Sequence, residues 1–115
     1  MDMESFVSDH RRVEERSLRL HEAIAEKLRI NPEPVLRRAR DNIERARSHP
    51  HSASYTKEWD RLLRGSLDEL IAVMVDDGEY ALSLRQASPF AGTLFPQERG
   101  AVYRAFEEEW THATR

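Results

Sequence analysis

Histidine is the residue type of this sequence that most often carries metal or acid–base chemistry, and the chain has five of them and no cysteine. Without cysteine there is no disulfide framework, thiolate zinc site or cysteine nucleophile. His21 and the glutamate after it begin like the zinc-protease motif H-E-x-x-H, but position 25 is alanine, so the second ligand is missing. His49 and His51 lie in a polar turn without an identifiable third ligand. The sequence therefore predicts no metal site and no cofactor.

An arginine and a histidine four to six residues apart are typical of small helical ribonucleases of the HEPN class, where the imidazole serves as general acid or base. Arg45 and His51 have this spacing, and so do Arg16 and His21. The chain contains 16 arginines, so such pairs are expected by coincidence. A HEPN-type ribonuclease is kept as one alternative, while the favoured interpretation is a protein that is not an enzyme.

Arginines are concentrated in the second predicted helix, where a cluster of this kind can bind phosphates. Asp41 and Glu44 are interleaved with them, so the same stretch also fits a solvated face with helical ion pairs. The segment that would enter a DNA groove after Gly65 has no basic residue and four acids, so a duplex would repel it. A nucleic-acid-binding transcriptional regulator, with DNA as partner, is the second alternative, and its candidate residues are Arg37, Arg38, Arg40, Arg45 and Arg47.

The elements that must position these side chains are helices, because apolar residues recur at spacings of three and four, with four glycines and five prolines between the runs. We predict an all-α fold, a single compact bundle of five to six helices that takes up residues 1–115 as one domain. A long N-terminal helix covers about residues 3–29 and is about 40 Å long at 1.5 Å per residue. The core helices cover about residues 33–113.

Local signals set the ends of the predicted helices. Ser66 and Glu69 form a capping box, and Gly65 suits a left-handed helix end. Phe95 cannot cap the last helix with its side chain, and Gly100 costs about 1 kcal/mol inside it. Residues 67–75 are the most apolar stretch and are expected at the centre of the fold. We therefore expect the C-terminal part to form the core, and the first helix to need a partner or a second copy to bury its apolar stripe.

The segment 88–95 is unusually apolar for a loop, because it holds two phenylalanines and a leucine. Its side chains either pack beneath the last helix or contact a partner, as aromatic residues often do in interfaces. The apolar stripe of the long first helix is a second candidate surface. The predicted partner-binding residues are Phe6, Val13, Leu20, Ile24, Phe90, Leu94 and Phe95.

Two strings in the C-terminal half resemble a known pattern: W-x-x-L-L from Trp59, and L-R-Q-A-S-P-F-A-G from Leu84, which continues through Leu94, Pro96, Glu98 and Arg99. This pattern resembles short bacterial proteins in the antitoxin position of toxin–antitoxin gene pairs, and the likeness covers about residues 13–104. In the pattern a serine usually precedes the proline and a large residue follows Glu-Arg, whereas Phe95 and Gly100 stand here.

The resemblance implies a protein–protein interaction module that neutralises a partner toxin enzyme by binding and masking it. The partner would be a cognate toxin encoded nearby, of a nucleotidyltransferase-like kind, and no active-site residue is implied. Homo-oligomerisation is the other partner expectation.

Composition fits such a protein. Of the 115 residues, 39% are hydrophobic and 34% charged, with a net charge of −3. No apolar run approaches the roughly 18 residues of a membrane span. We therefore expect a cytoplasmic protein without membrane contact.

Overall fold

The computed structural model describes the backbone of residues 3–48 and 53–113, and the side chains of residues 8–48 and 53–113. Within these ranges the chain is a compact all-α bundle of six helices with no strand. Among these helices none has the length and hydropathy needed to cross a bilayer. The helices are α1 (Met3–Ile30), α2 (Pro32–Ala46), α3 (Ala53–Arg64), α4 (Leu67–Val75), α5 (Glu79–Gln86) and α6 (Pro96–Ala113).

The long first helix lies at the centre of the bundle. Its 28 residues extend about 42 Å at 1.5 Å per residue, which matches the longest dimension of the molecule, 42 Å. In its second half Ile24, Ala25 and Leu28 are buried, and the helix contacts α2, α4, α5 and α6. The expectation that the C-terminal part alone forms the core is therefore wrong, because α1 contributes the surface on which the other helices pack.

The first half of α1 runs antiparallel to α6. Arg12 forms an ion pair with Glu107, and the guanidinium of Arg16 lies 5.0 Å from the ring centroid of Tyr103. Farther along α1, Lys27 binds Glu98 near the start of α6. Charged side chains thus contribute to the contact between the two helices. Of the apolar residues of α6, Phe106 is buried, and Val102, Tyr103 and Trp110 are half-buried.

The remaining core comes from α2, α3 and α4, together with Leu84 of α5 and with Phe90 and Leu94 of the loop before α6. Trp59 on α3 is fully buried and donates its indole N–H to the carbonyl oxygen of Leu84, 2.9 Å away. Helix α4 buries Leu70, Ile71 and Met74 and leaves its other residues wholly or partly exposed. This apolar helix packs against α1, α3 and α5, and its leucine, isoleucine, valine and methionine residues belong to the core cluster or pack against it.

Two helix ends differ from the sequence prediction. The hydroxyl of Ser66 accepts the N–H of Glu69 at 3.1 Å, as expected for an N-cap, but the Glu69 carboxylate binds Arg61. Gly65 does not have positive φ; within the described residues that conformation occurs at Gly92 (φ 76°). The turn at Gly65 needs no left-handed residue, because its N–H bonds to the Leu62 carbonyl and Ser66 begins α4 directly.

Candidate protein-interaction surface

The apolar segment 88–95 is fastened to the bundle through hydrogen bonds. Asn42 on α2 donates from its amide nitrogen to the carbonyl oxygens of Pro89 and Ala91, at 2.8 and 2.9 Å. Thr93 closes a turn by donating its hydroxyl to the Phe90 carbonyl at 2.7 Å. These bonds satisfy the backbone of a buried loop, which would otherwise be costly. The segment therefore has a defined shape and presents fixed side chains to its surroundings.

The loop is also joined to α1 by a buried imidazole. Nε2 of His21 lies 2.7 Å from the hydroxyl oxygen of Ser88, and Nδ1 lies 2.7 Å from the carbonyl oxygen of Ser17. Because the Ser17 carbonyl can only accept, Nδ1 is the donor, and in the neutral imidazole Nε2 accepts the Ser88 hydroxyl, whose oxygen also accepts the N–H of Phe90 at 3.2 Å. Burial lowers the pKa of His21 below 6.5, and the nearby Arg85 charge acts in the same direction.

The strings behind the family resemblance prove to be structural. Phe90 is buried and makes edge-to-face contacts with Trp59 and His21, at centroid distances of 5.6 and 6.1 Å. Arg85 is buried and donates to the carbonyl oxygens of Met74 and Asp76, at 3.2 and 2.6 Å. It thereby caps the C-terminal end of α4, where cations are favoured. Burial lowers the pKa of Arg85. These residues hold the core and the loop together, and Arg85 also lines a cleft between α1 and the α4–α5 turn.

At its end the loop presents an aromatic ring to solvent. Phe95 is 66% exposed, and the ammonium nitrogen of Lys27 lies 4.0 Å from its ring centroid. Ile30, 82% exposed, is three residues beyond Lys27 and therefore its neighbour on the surface of α1. We refer to Lys27, Ile30 and Phe95 as the Phe95 patch.

Glu98 fixes the geometry of the Phe95 patch. One of its carboxylate oxygens accepts both the ammonium of Lys27 and the backbone N–H of Phe95, each at 2.7 Å. The hydrogen bond from Lys27 lowers the pKa of the Glu98 carboxyl the most, and the bond from the Phe95 N–H lowers it further. Thus the helix α6 is capped from its third residue, which is how it begins without a capping side chain at Phe95.

The structure divides the seven predicted partner-binding residues. Ile24, Phe90 and Leu94 are buried in the monomer's own core, with exposed fractions of 2, 3 and 8%, so their side chains are not on the surface of this fold. They are buried because α1 and the loop pack on each other. Leu20 is half-buried against that core, whereas Val13 and Phe95 are exposed. The side chain of Phe6 lies outside the described residues.

The five arginines of α2 do not form one surface. At 3.6 residues per turn, Arg38 and Arg40 point about 160° apart. The guanidinium of Arg38 lies over Gly92 on the loop side, and Arg45 binds Asn42 there. On the other side Arg40 pairs with Glu33, and Arg47 pairs with Glu44 and Asp60. Arg37 is exposed and takes part in none of the ion pairs seen in the described residues.

The described part of the chain shows no arrangement of side chains that supports the HEPN-type ribonuclease alternative. His21, one member of the two Arg–His pairs, is buried beside Phe90, and His49 and His51 lie outside the described residues. No group of three or more acidic or histidine side chains in the described ranges is placed to hold a metal ion. A cleft of about 490 Å³ between α1 and the α4–α5 turn is lined by charges of both signs, among them Arg19, which is paired with Glu22.

Sequence reasoning identified Phe95 but missed the residues that make it a surface. Ile30 is the last residue of α1, directly before an Asn-Pro break, where an exposed apolar side chain gives no periodic signal. Lys27 and Glu98 are 71 positions apart, so their contact depends on how α1 and α6 pack. A glutamate three residues after the helix start was the available clue to the cap.

Comparison with protein-family models, curated proteins and solved structures finds no match to this chain.

Proposed function

We propose that this chain is a protein-binding module of the antitoxin type, which neutralises a partner toxin enzyme by binding and masking it. The observation that carries the proposal is the Phe95 patch. The exposed ring of Phe95 and the exposed side chain of Ile30, each a neighbour of Lys27, present apolar surface that association can remove from water. The antitoxin part of the proposal comes from the resemblance of the two C-terminal strings.

The geometry of the patch supports binding more than an isolated exposed side chain would. The ammonium of Lys27 lies over the Phe95 ring, and the backbone N–H of Phe95 is bound to Glu98. A ring that is already fixed loses little conformational freedom when a partner covers it, so more of the burial energy appears as affinity. Aromatic anchors of this kind are common among residues that dominate interfaces.

The test is co-expression with the product of the adjacent gene, followed by affinity purification and native mass spectrometry. We expect a complex of defined stoichiometry and restored growth of cells that express the toxin. Phe95→Asp and Ile30→Asp should each weaken the complex at least about tenfold, because a carboxylate would be buried in the contact.

A matched control is Tyr80→Asn, which changes an equally exposed aromatic residue on α5, 60% exposed. It should leave the complex unchanged. The proposal is overturned if no complex and no growth rescue are found, or if the three variants weaken the complex equally.

A further inference from the structure

A groove next to the Phe95 patch has the character of a docking site for a segment of a partner. It has a volume of about 350 Å³ and lies between α2 and the α3–α4 turn. Pro32, at its edge, follows Ile30 by two residues, so the groove and the patch meet at the α1–α2 turn. We call it the α2–α4 groove, and the residues that line it are Pro32, Leu36, Arg40, Leu62, Leu63, Arg64, Gly65, Ser66, Leu67 and Leu70.

The floor of the α2–α4 groove is apolar and formed by residues fixed in the core. Leu62 and Leu70 are almost fully buried, and Leu36 and Leu67 are half-buried against the core cluster. Leu36 and Leu67 therefore keep apolar surface in contact with water. An aliphatic side chain placed there would remove that surface from solvent without rearrangement of the helices.

The charges at the rim have one sign. Arg40 and Arg64 are the charged residues that line the α2–α4 groove in the described part of the chain, and no aspartate or glutamate lines it. The same two arginines also line a second, adjoining hollow between α2 and α3, which is lined in addition by Asp41, Glu44 and Asp60. The two arginines thus stand at the boundary between the two hollows, where a segment lying in the groove would meet both.

The present partners of these arginines are exchangeable. Arg64 binds Asp60 at 3.1 Å with 73% of its side chain exposed, and Arg40 lies 3.6 Å from Glu33 with 50% exposed. Exposed ion pairs of this geometry contribute little to stability, so a carboxylate from outside can replace either one.

We infer that the α2–α4 groove receives an aliphatic side chain from an acidic segment of the partner protein, whose carboxylates replace Glu33 and Asp60 as partners of Arg40 and Arg64. This rests on the proposed function, because it assigns the partner's chemistry. Helix-in-groove recognition by an amphipathic helix is the matching mode: apolar residues at one-turn spacing enter the groove, and flanking acids meet the basic rim. Complementary charge would also speed the encounter and make it dependent on salt.

The experiment uses the isolated full-length chain, so its result does not depend on the toxin. The probe is a fluorescein-labelled 16-residue helical peptide of leucine, alanine and glutamate, and the comparison peptide carries lysine in place of glutamate. Backbone amide resonances are followed by NMR during titration, with fluorescence anisotropy for affinity. We expect the acidic peptide to shift the amides of Leu36, Gly65 and Leu67, and the lysine peptide to shift none of them.

Charge reversal gives the decisive comparison. The double variant Arg40→Glu with Arg64→Glu should bind the acidic peptide at least tenfold more weakly and gain binding of the lysine peptide. Arg38→Glu with Arg45→Glu, on the opposite side of α2, is the matched control and should bind like the parent chain. Arg40→Gln with Arg64→Gln serves as a second, milder variant, and circular dichroism checks that each variant is folded.

The inference is overturned if the acidic peptide shifts no groove amide, or if the two charge-reversed variants lose affinity equally. It is also overturned if the free chain forms a dimer that Arg40→Glu with Arg64→Glu dissociates, because the occupant would then be a second copy. Failure of this kind is distinct from failure of the proposed function: the toxin complex would still form and would still depend on Phe95 and Ile30.

Discussion

The hydroxyl group of Ser88 is the point at which the loop, the first helix and a titratable side chain meet. It is bonded to His21, and its oxygen also accepts the N–H of Phe90, whose ring packs edge-on against Trp59. All three hydrogen-bonding groups are satisfied when the imidazole is neutral. The protonation state of one histidine is therefore coupled to the position of the loop that presents Phe95.

We expect the stability of the chain to fall in acid because of His21. Burial lowers the pKa of its imidazole in the folded state below 6.5, so the unfolded chain binds the proton at a higher pH than the folded chain does. The contribution of His21 to the free energy of unfolding is therefore complete above about pH 6.5. It is lost as the pH falls below that value, with a slope of at most about 1.4 kcal/mol per pH unit.

The measurement is the free energy of unfolding in urea at pH 7.5 and pH 5.5. The variant His21→Asn should show a smaller difference between the two pH values than the parent chain. His112→Asn, which removes an exposed histidine on α6, should retain the parent difference. Equal pH dependence in the parent and in His21→Asn would refute the assignment.

Two glycines are expected to respond oppositely to alanine. Gly92 has φ of +76°, and a Cβ there would lie 2.9 Å from Nη2 of Arg38, so Gly92→Ala should destabilise the chain by about 1–2 kcal/mol. Gly100 lies inside α6, where a Cβ would approach only the mobile end of Arg104, at 3.2 Å. Gly100→Ala should stabilise by about 0.5–1 kcal/mol. Thermal and urea denaturation test both, and a neutral Gly92→Ala would contradict the explanation from positive φ.

At the scale of elements, α1 consists of two halves with different roles. The second half contributes buried residues to the core, whereas the first half is accompanied mainly by α6 and carries an exposed Val13. Both halves have the same apolar spacing and many charged residues, so the sequence suggests one charged helix that needs a partner along its whole length. Which half is covered depends on how far the shorter helices extend along α1, and sequence spacing does not contain that information.

Substitution in the two halves of α1 should separate these roles. Leu28→Ala should lower the free energy of unfolding by about 2–5 kcal/mol, because Leu28 is 0% exposed and its removal leaves a cavity among fixed neighbours. Val13→Ala should alter stability by less than about 0.5 kcal/mol, since 56% of Val13 is exposed. Urea denaturation of both variants tests this, and comparable losses would mean that the first half is also part of the core.

At the scale of the whole molecule, basic side chains adjoin both apolar surfaces: Lys27 lies over Phe95, and Arg40 and Arg64 line the groove. The Phe95 patch and the α2–α4 groove meet at the α1–α2 turn, while the arginines of α2 are distributed over both sides of that helix. Acidic side chains are interleaved with them, as at Glu33 and Glu44. A continuous phosphate backbone is bound best by a single basic face, which these distributed arginines do not form.

We therefore expect weak binding of duplex DNA. A gel-shift or anisotropy titration at physiological salt should give a dissociation constant of about 10⁻⁶ M or weaker, independent of sequence. Arg37→Glu with Arg38→Glu should change this little. A tight, salt-dependent complex that this double variant abolishes would instead support the transcriptional-regulator alternative.

The sequence by itself determined the helical class, the element order and most helix bounds of this protein, because helical periodicity and the residues at helix ends act over a few positions. It also identified Phe95 as an exposed candidate. The tertiary structure decided that Ile24, Phe90 and Leu94 belong to the core and that Lys27 and Glu98 hold Phe95 in place. Burial and ion pairing between residues far apart in the chain depend on how whole helices pack, and the same local spacing is compatible with either outcome.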